Sequence, residues 1–238
     1  MSLRTVSVLQ PGYIPWLGFF DQMQRVDVFV VYDDVQFDKH GWRNRNRVKS
    51  PNGPYWLTVP VRHHGLMQPR INEIVIDRQQ PWVRKHVGTF RQFYAAAPFL
   101  ESYLPALEEL LRRDYQFLID LDVALIEYFA SCFGIKRKMV LASQLNIVGE
   151  RTERLIRICQ HYGASHYLSG DAAKAYLDDE LFRQSGIDVV WHSYRHPVYR
   201  QQYGAFVSHL SAVDLLFNCG SKSREFFVES NEKRNFEL

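Results

Sequence analysis

Hydrophobic and polar positions near the start of the chain follow the patterns of buried strands and a short helix. Residues 5–9 (TVSVL) predict a central strand, and residues 16–25 place apolar side chains at helical spacing after a proline-containing turn. Residues 27–32 (DVFVVY) form a nearly continuous apolar run, which is typical of a parallel strand buried on both faces. The chain therefore begins as a strand, a turn, a helix and a second strand.

The middle of the chain changes pattern twice. Residues 42–62 contain two β-rich arms around the turn formers of 50–54 and predict a hairpin, and a short strand is expected near 71–76. Residues 81–133 then carry apolar side chains three and four positions apart, which predicts a layer of helices. We expect one compact unit, in which residues 1–80 and 134–238 form an α/β core and residues 81–133 a helical insertion packed on it.

The last third alternates between strand and helix patterns. The predicted elements are a strand at 138–145, a helix at 152–162 ended by Gly163, a strand at 166–168, a helix at 172–184, a strand at 187–194, and a helix at 211–218 capped by Ser211 and ended near Gly220. Such alternation predicts a mostly parallel, Rossmann-like α/β sheet with right-handed crossovers and helices on both faces. The hairpin and the helical layer are excursions from it.

Composition narrows the class of partner. The chain has 238 residues, of which 46% are hydrophobic, so it can bury a sizeable core. Its formal net charge is +3, whereas nucleic-acid-binding proteins usually carry a larger positive charge concentrated on one surface. We therefore expect a small-molecule substrate and no DNA, and leave aminoacyl-tRNA and the oligomeric state open.

The absence of certain sequence signals predicts the cellular compartment of the protein and whether it has a metal site. No apolar run reaches the ~18 residues that cross a bilayer, and no basic stretch followed by an apolar one opens the chain. Cys132, Cys159 and Cys219 are widely spaced and resemble reduced core thiols. No cluster of His, Asp or Glu has ligand spacing. We expect a cytoplasmic protein without a membrane span and predict no metal site.

The turn after the first strand is the first candidate for ligand binding. Gly12 lets the backbone approach a ligand, Gln10 and Tyr13 offer hydrogen-bonding groups, and Trp16 offers a flat face. Ligands of open α/β sheets bind at the carboxyl ends of strands, where this turn is predicted to lie. The alternative is a tight corner whose aromatic side chains fill the core.

Two adjacent acids, Asp33 and Asp34, follow the second predicted strand. Neighbouring residues of a strand point to opposite faces, so at most one of them enters a given pocket. A carboxylate there can bind an ammonium group or act as a general base, and both are candidate catalytic residues. The alternative is a solvated acid in a loop.

A row of alternating arginines and asparagines is the third candidate. In an extended strand Arg43, Arg45 and Arg47 project from one face, where their guanidinium groups suit a diphosphate. The alternative is an edge strand protected from aggregation by its charges. The predicted binding residues of this segment are Lys39, Trp42, Arg43, Asn44, Arg45, Asn46 and Lys49.

The stretch YLSGDAAKAY places Ser169 and Gly170 between a predicted strand and helix. Backbone N–H groups and the positive end of a helix dipole favour an anion at such a turn. The alternative is that serine and glycine are present at this turn only to cap the helix and to allow its backbone geometry, without binding an anion. We treat both residues as candidate anion contacts.

The stretch YRHPVYRQQYGAF follows the last predicted strand. His196 precedes a proline, which favours an extended loop conformation, and an imidazole exchanges protons near neutral pH. His196 is a candidate catalytic acid or base, with a structural histidine as the alternative. Tyr199 in the same loop is a candidate substrate contact.

Taken together, these blocks resemble the WbqC-like family over residues 5 to about 220. The matching stretches are QPGYIPWLGFFDQM, VFVVYDDVQF, WRNRNRVK, YLSGDAAKAY, GIDVVWHSYRHPVYRQQYGAF and SAVDLLFNCG. The resemblance implies a bacterial protein of surface polysaccharide and O-antigen (lipopolysaccharide) biosynthesis, with a transferase role in which glycine or another small acyl group is attached to a sugar.

The order of elements also resembles the HUP class of α/β folds, especially pantothenate synthetase-type ligases. That similarity implies a HUP-like sheet and amide formation driven by ATP. Those ligases carry a His-x-Gly-His signature after the first strand, whereas this chain has Trp16, Leu17, Gly18 and Phe19 there. Without that signature, phosphate binding would fall to the arginine row or to Ser169 and Gly170.

The leading functional hypothesis is a transferase or ligase that attaches a small acyl or aminoacyl group to the amine of a nucleotide-linked sugar. The cofactor or donor stays open between ATP, an acyl thioester and an aminoacyl donor. The alternatives are a non-catalytic protein that binds a sugar nucleotide or a partner enzyme in the same pathway, and a degenerate nucleotidyltransferase.

Overall fold

A computed structural model describes residues 4–62 and 67–227 of the chain. The strands are β1 (Thr5–Leu9), β2 (Val28–Val31), β3 (Arg45–Ser50), β4 (Gly53–Thr58), β5 (Val61–Arg62), β6 (Val75–Ile76), β7 (Lys138–Leu141), β8 (His166–Ser169) and β9 (Asp188–Trp191). The α-helices are α1 (Leu17–Gln24), α2 (Trp82–Phe93), α3 (Leu100–Arg112), α4 (Leu118–Cys132), α5 (Arg151–His161), α6 (Asp179–Gln184) and α7 (Ala212–Cys219). Short 3₁₀-helices span Ile71–Glu73, Ala142–Leu145, Asp171–Ala175 and Gly220–Arg224.

Five strands form one parallel sheet in the order β7-β2-β1-β8-β9. When these five are numbered along the chain, the order is 3-2-1-4-5, that of a doubly wound Rossmann-like sheet. The chain leaves β1 toward one edge and returns beside it at β8, so the order reverses between these two strands. The predicted fold class is confirmed.

Alternation along the central strands divides the core between the two faces of the sheet. Val6 and Val28 pack into one hydrophobic cluster with Ile156 of α5, whereas Phe29 and Val31 pack into the other with residues of α1, α4 and α7. Successive strand residues point to opposite faces, so a run that is apolar throughout requires helices on both sides. The sheet is accordingly covered by helices on both faces.

The remaining strands lie outside the main sheet. Strands β3 and β4 form an antiparallel hairpin in which Arg47 lies opposite Trp56, and β5 pairs with β6. Helices α2, α3 and α4 occupy residues 82–132 and share one hydrophobic cluster with α1 and β2. The predicted boundaries of an inserted helical layer at 81 and 133 stay a prediction.

Several predicted elements end early because polar groups interrupt them. The strand expected at 138–145 stops at Leu141, where the Asp33 carboxylate accepts hydrogen bonds from Ser143 and caps a 3₁₀-helix. The helix expected at 172–184 is two pieces, because the Asp178 side chain accepts from the Leu181 N–H and starts α6 afresh. Residues 71–73 are a 3₁₀-helix, and β9 ends at Trp191. By contrast, Ser211 caps α7 as predicted.

Candidate functional site

A cavity of about 950 Å³ opens at the carboxyl edge of the sheet. Its wall includes Leu9 at the end of β1, Tyr32 just beyond β2, and Tyr167 of β8. It therefore lies where the strand order reverses, the position at which open α/β sheets bind ligands. Its volume is at the upper end of the range usual for small-molecule sites.

The turn after β1 is tied to the segment that leads into the hairpin. The N–H of Tyr13 donates to the carbonyl oxygen of Arg43 at 2.9 Å, and Arg43 Nη1 donates to the carbonyl of Pro11 at 2.7 Å. The buried Asn46 amide donates to the carbonyls of Tyr13 (3.2 Å) and Ile14 (2.7 Å). These bonds hold the first turn and the arginine segment together on one side of the cavity.

Two glycines allow this turn to pack as closely as it does. A Cβ on Gly12 would lie 2.8 Å from the carbonyl oxygen of Trp42, so only glycine fits without a backbone shift. A Cβ on Gly18 would lie 2.2–2.5 Å from atoms of the Trp16 indole. The indole therefore lies directly against the first turn of α1.

A third segment, leading into α7, completes the wall. The N–H of Ser211 donates to the carbonyl of Arg47, and the N–H of Ala212 to that of Pro15, each at 2.9 Å. His209, two residues before the cap of α7, lines the cavity. The first turn, the arginine segment and this loop are thus joined by main-chain hydrogen bonds.

Three non-glycine residues at this rim have left-handed backbones. The φ angle is 42° at Ile14, 46° at Arg151 and 59° at His209. Arg151 and His209 line the cavity, and Ile14 lies in the turn held by Asn46. Such conformations are unfavourable for side chains with a Cβ and persist where the surroundings fix them. The rim is held in shape by its neighbours.

The charged groups on the wall are all of one sign. Arg43, Arg47 and Arg151 line the cavity, and among the residues that the structure describes no aspartate or glutamate does so. The Arg47 side chain has no hydrogen bond or ion pair within the described ranges and packs over Trp42 and Trp56, with its Cζ at 5.2 Å and 5.7 Å from the ring centroids. The wall is therefore suited to an anion.

Behind this wall lies a buried carboxyl group on α4. Asp122 is fully buried, and neither of its oxygens has a hydrogen-bond partner in the described part of the chain. Burial raises the pKa of Asp122 well above its ordinary value, against the opposing charge of Arg43. The position therefore favours an uncharged side chain at neutral pH.

We expect Asp122→Asn to raise the free energy of unfolding at pH 7 by about 1 kcal/mol. An acid with a pKa raised by folding stabilises the fold less as pH rises above the pKa of the unfolded chain, near 4. The gain from asparagine should accordingly shrink toward pH 4, as measured by urea unfolding across pH. Asp120→Asn, at an exposed position of the same helix, should give no gain; an equal gain there would contradict the argument.

Six of the residues predicted from sequence line the cavity. They are Gln10, Gly12, Trp16, Trp42, Arg43 and Asn46. They come from the first turn and from the arginine segment, the two stretches that the main-chain bonds hold together. Their contact with a ligand stays a prediction.

Three residues near the first turn and β2 have structural partners instead. Tyr13 is fully buried, and its hydroxyl is hydrogen-bonded to Nδ1 of His86 at 2.8 Å. Burial lowers the pKa of His86 to about 4. Asp33 is buried and accepts from the N–H (2.9 Å) and the hydroxyl (2.6 Å) of Ser143. Asp34 forms an ion pair with Arg154 of α5. All three lie off the cavity wall.

Lys49 and Tyr199 belong to a buried polar cluster beneath the loop 201–207. Lys49 Nζ donates to Oε1 of Gln201 at 2.9 Å and to the carbonyl of Ala205 at 2.5 Å. The Tyr199 hydroxyl donates to Asp214 at 2.9 Å. Because these groups bind one another, neither side chain reaches the cavity.

Three further predicted residues of the arginine segment lie off the cavity wall. Two of them have hydrogen-bond partners elsewhere in the protein, and the third is exposed to solvent. The Arg45 guanidinium donates to the carbonyls of His40 and Gly41 and lies 4.6 Å from the centroid of the Trp56 ring. Asn44 is buried and donates to the carbonyl of Val59. Lys39 is exposed and away from the wall.

Ser169 and Gly170 lie off the cavity wall. Ser169 is buried and its carbonyl accepts from the N–H of His192, and Gly170 precedes a 3₁₀-helix of five residues. This turn is too short to present the N-terminus of a regular helix to an anion.

His196 lies outside the cavity, behind His209. Neither of its ring nitrogens has a hydrogen-bond partner in the described ranges, and burial lowers its pKa to about 4. Its ring packs on His209, Tyr199 and Phe206. The predicted acid or base is a packed neutral imidazole.

Sequence reasoning did not single out several residues of the wall. These are Tyr32, Arg151, Thr152, Tyr167, Tyr176 and His209. Tyr32 and Tyr167 belong to strands that were predicted, so their position at the carboxyl edge was an available signal. The cavity position of His209 depends on a left-handed backbone and on long-range contacts, for which the local sequence carries no signal.

The geometry defines a class of protein: a Rossmann-like α/β protein with an arginine-lined, aromatic-walled cavity at its topological switch point. The chain belongs to the WbqC-like protein family, whose model matches residues 10–226. It is 34% identical over 226 residues to the uncharacterized protein Rv1507c of Mycobacterium tuberculosis, an alignment that covers 94% of this chain and 97% of the relative. No solved structure gives a significant match.

None of the helices in the described ranges is both long and apolar enough to cross a lipid bilayer. No group of three or more His, Cys, Asp or Glu side chains in those ranges is arranged to hold a metal ion.

Proposed function

We propose that the protein binds a nucleotide-linked amino sugar in the cavity and attaches a small acyl or aminoacyl group to the sugar amine, in bacterial surface polysaccharide synthesis. The observation that carries the proposal is a cavity lined by Arg43, Arg47 and Arg151 and, among the described residues, by no carboxylate. A diphosphate is the part of such a substrate that needs this surplus of positive charge. Membership of the WbqC-like family supports the pathway.

The aromatic side chains of the wall suit the uncharged parts of the substrate. Trp42 is 42% exposed at the cavity and packs against Trp56 with ring centroids 5.0 Å apart. A nucleobase stacks on such a face, and Arg47 beside it carries the charge that a phosphate needs. Trp16 and Tyr32 offer further flat surfaces for a sugar ring.

The reaction requires a donor and a proton acceptor. The sugar amine attacks the carbonyl carbon of the acyl donor, a C–N bond forms, and the bond from that carbon to the leaving group breaks. The proton lost by the amine passes through a base to the leaving group. The donor is an acyl thioester, an aminoacyl-tRNA or an adenylate made from ATP; Trp16 to Phe19 lack the His-x-Gly-His signature that would favour ATP.

A second candidate function is non-catalytic binding of the same sugar nucleotide. It is favoured by the position of His196, Asp33 and Asp34, since the three residues predicted to transfer protons lie outside the cavity. A binding protein would retain the arginines and aromatic rings and would need no base. The two functions differ only in turnover.

Ligand-induced stabilisation tests the binding step. UDP-glucosamine, at 100 times its dissociation constant, should raise the free energy of unfolding by about 2.7 kcal/mol and the melting temperature accordingly. Glucosamine alone should have a much weaker effect, because it lacks the diphosphate. Absence of any shift with UDP-glucosamine, UDP-N-acetylglucosamine or UDP would reject the proposed site.

Turnover tests the reaction. UDP-glucosamine is incubated with acetyl-CoA, with glycine and ATP, or with glycyl-tRNA, and the N-acylated sugar is detected by mass spectrometry. Product in one of the three mixtures supports acyl transfer and identifies the donor. Stabilisation by the sugar nucleotide without product in any mixture supports the non-catalytic alternative.

A further inference from the structure

The His209 imidazole stacks with two other rings at the cavity wall. The Trp16 ring stacks on the His209 ring, with centroids 5.1 Å apart and planes 26° from parallel. The His196 ring stacks at 4.9 Å and 27°. Trp16 and His209 both line the cavity, whereas His196 lies behind it. The stack therefore presents one imidazole to a ligand and supports it with another.

The backbone at His209 has an unusual conformation, and main-chain hydrogen bonds hold the residues beside it. His209 has a left-handed backbone, with φ of 59°, which is rare for a residue with a Cβ. Just beyond it, Ser211 forms a bridge with Trp16 and donates its N–H to the carbonyl of Arg47. Strain that is held in this way is concentrated at functional sites.

The hydrogen bonds of His209 leave one ring nitrogen available. Nδ1 lies 2.7 Å from Oγ of Ser208, and Nε2 has no hydrogen-bond partner among the described residues. When Nδ1 donates its proton to Ser208, Nε2 carries the lone pair of a neutral imidazole. His209 is exposed, so that lone pair is accessible to a bound molecule.

The surroundings separate the roles of the two imidazoles. His196 is desolvated, its pKa falls to about 4, and the charge of His209 lowers it further. His196 stacks on His209, and the titratable and charged side chains that line the same cavity are arginines 43, 47 and 151 and tyrosines 32, 167 and 176. No carboxylate of the described residues lines that space.

We propose that His209 is the catalytic base of the acyl transfer, stacked against the Trp16 and His196 rings. This inference rests on the proposed function. Nε2 of His209 takes a proton from the sugar amine as the C–N bond forms, and returns it to the leaving group as the bond to the acyl carbon breaks. No proton is gained or lost overall.

The first test labels histidines with diethyl pyrocarbonate, which modifies unprotonated imidazoles, and maps the labels by mass spectrometry. We expect His209 to be labelled in the free protein and protected at least fivefold by saturating UDP-glucosamine. His161, exposed on α5 and away from the cavity, should be labelled equally in both conditions. Stabilisation by UDP-glucosamine without protection of His209 would overturn the proposal.

The second test compares His209→Gln with His161→Gln. Glutamine keeps a hydrogen-bonding side chain but exchanges no proton, so kcat should fall at least 100-fold with KM changed less than threefold. His161→Gln should leave both constants unchanged. Retained kcat in His209→Gln would exclude it as the base.

Failure of the proposed function is distinguishable from failure of this inference. If no UDP sugar binds, the proposed function is rejected, and the labelling rate of His209 in the free protein is then decisive. Labelling of His209 at a rate within threefold of that of His161 supports an accessible base. An unreactive His209, with His161 labelled normally, overturns the inference whatever the substrate.

Discussion

Asp214→Ala is expected to lower the free energy of unfolding by about 3–5 kcal/mol. The buried Asp214 carboxylate accepts from the hydroxyls of Tyr94 (2.8 Å) and Tyr199 (2.9 Å) and from the Gln201 amide (2.8 Å). Alanine would leave two buried hydroxyls and the partly buried Gln201 amide without this acceptor. Urea unfolding measures the loss, and the melting temperature should fall by roughly 10 °C.

Two comparisons make the test specific. Asp171→Ala removes an exposed carboxylate paired with Lys174, and such pairs contribute at most about 1 kcal/mol. Asp214→Asn retains one acceptor oxygen and should lie between the parent protein and Asp214→Ala. A loss below about 1 kcal/mol for Asp214→Ala would mean that water or a rearranged loop satisfies the three donors.

Arg47→Ala is expected to weaken the binding of UDP-glucosamine by about 10–100-fold, or about 1.5–3 kcal/mol. Arg47 lines the cavity and forms no side-chain hydrogen bond within the described ranges, so its guanidinium is available to a phosphate. Thermal stability should change little, because no buried partner is left behind. Isothermal titration calorimetry gives the affinity, and a thermal melt without ligand checks the fold.

Arg45→Ala is the matched control on the same strand and the same face. Its guanidinium is bound to the carbonyls of His40 and Gly41 and lies off the cavity wall. Affinity should stay within threefold of the parent value. An equal loss of affinity in Arg45→Ala and Arg47→Ala would place the anion on the open face of the hairpin and contradict the cavity site.

Much of the fold was predictable from sequence because its signals are local. The buried strands at 5–9 and 27–32 are apolar runs that need no distant partner to be recognised, and the cap at Ser211 is a local hydrogen bond. The broken helix at 172–184 was missed because Asp178 can continue a helix or start one. Tertiary packing decided between these outcomes.

The site was predictable only in part, for a reason that the arginine strand makes clear. Alternation predicts Arg43, Arg45 and Arg47 on one face of a strand, but β3 begins at Arg45, so Arg43 lies outside it and the alternating row of the strand is Arg45, Arg47 and Lys49. It carries no information on what covers that face. The loop 201–207 buries Lys49, main-chain carbonyls bind Arg45, and Arg47 alone of these three reaches the cavity.

The pairing of Thr5 with His166 has a consequence for biogenesis. A ribosome adding ~5–20 residues per second needs roughly 10–30 s to make β8 after it has made β1. During that interval β1 has β2 as a neighbour on one side and exposes its other edge. Nascent chains arrested before residue 166 should thus be open to chaperones and to misassembly, and the cavity beside β1 and β8 should form only late in translation.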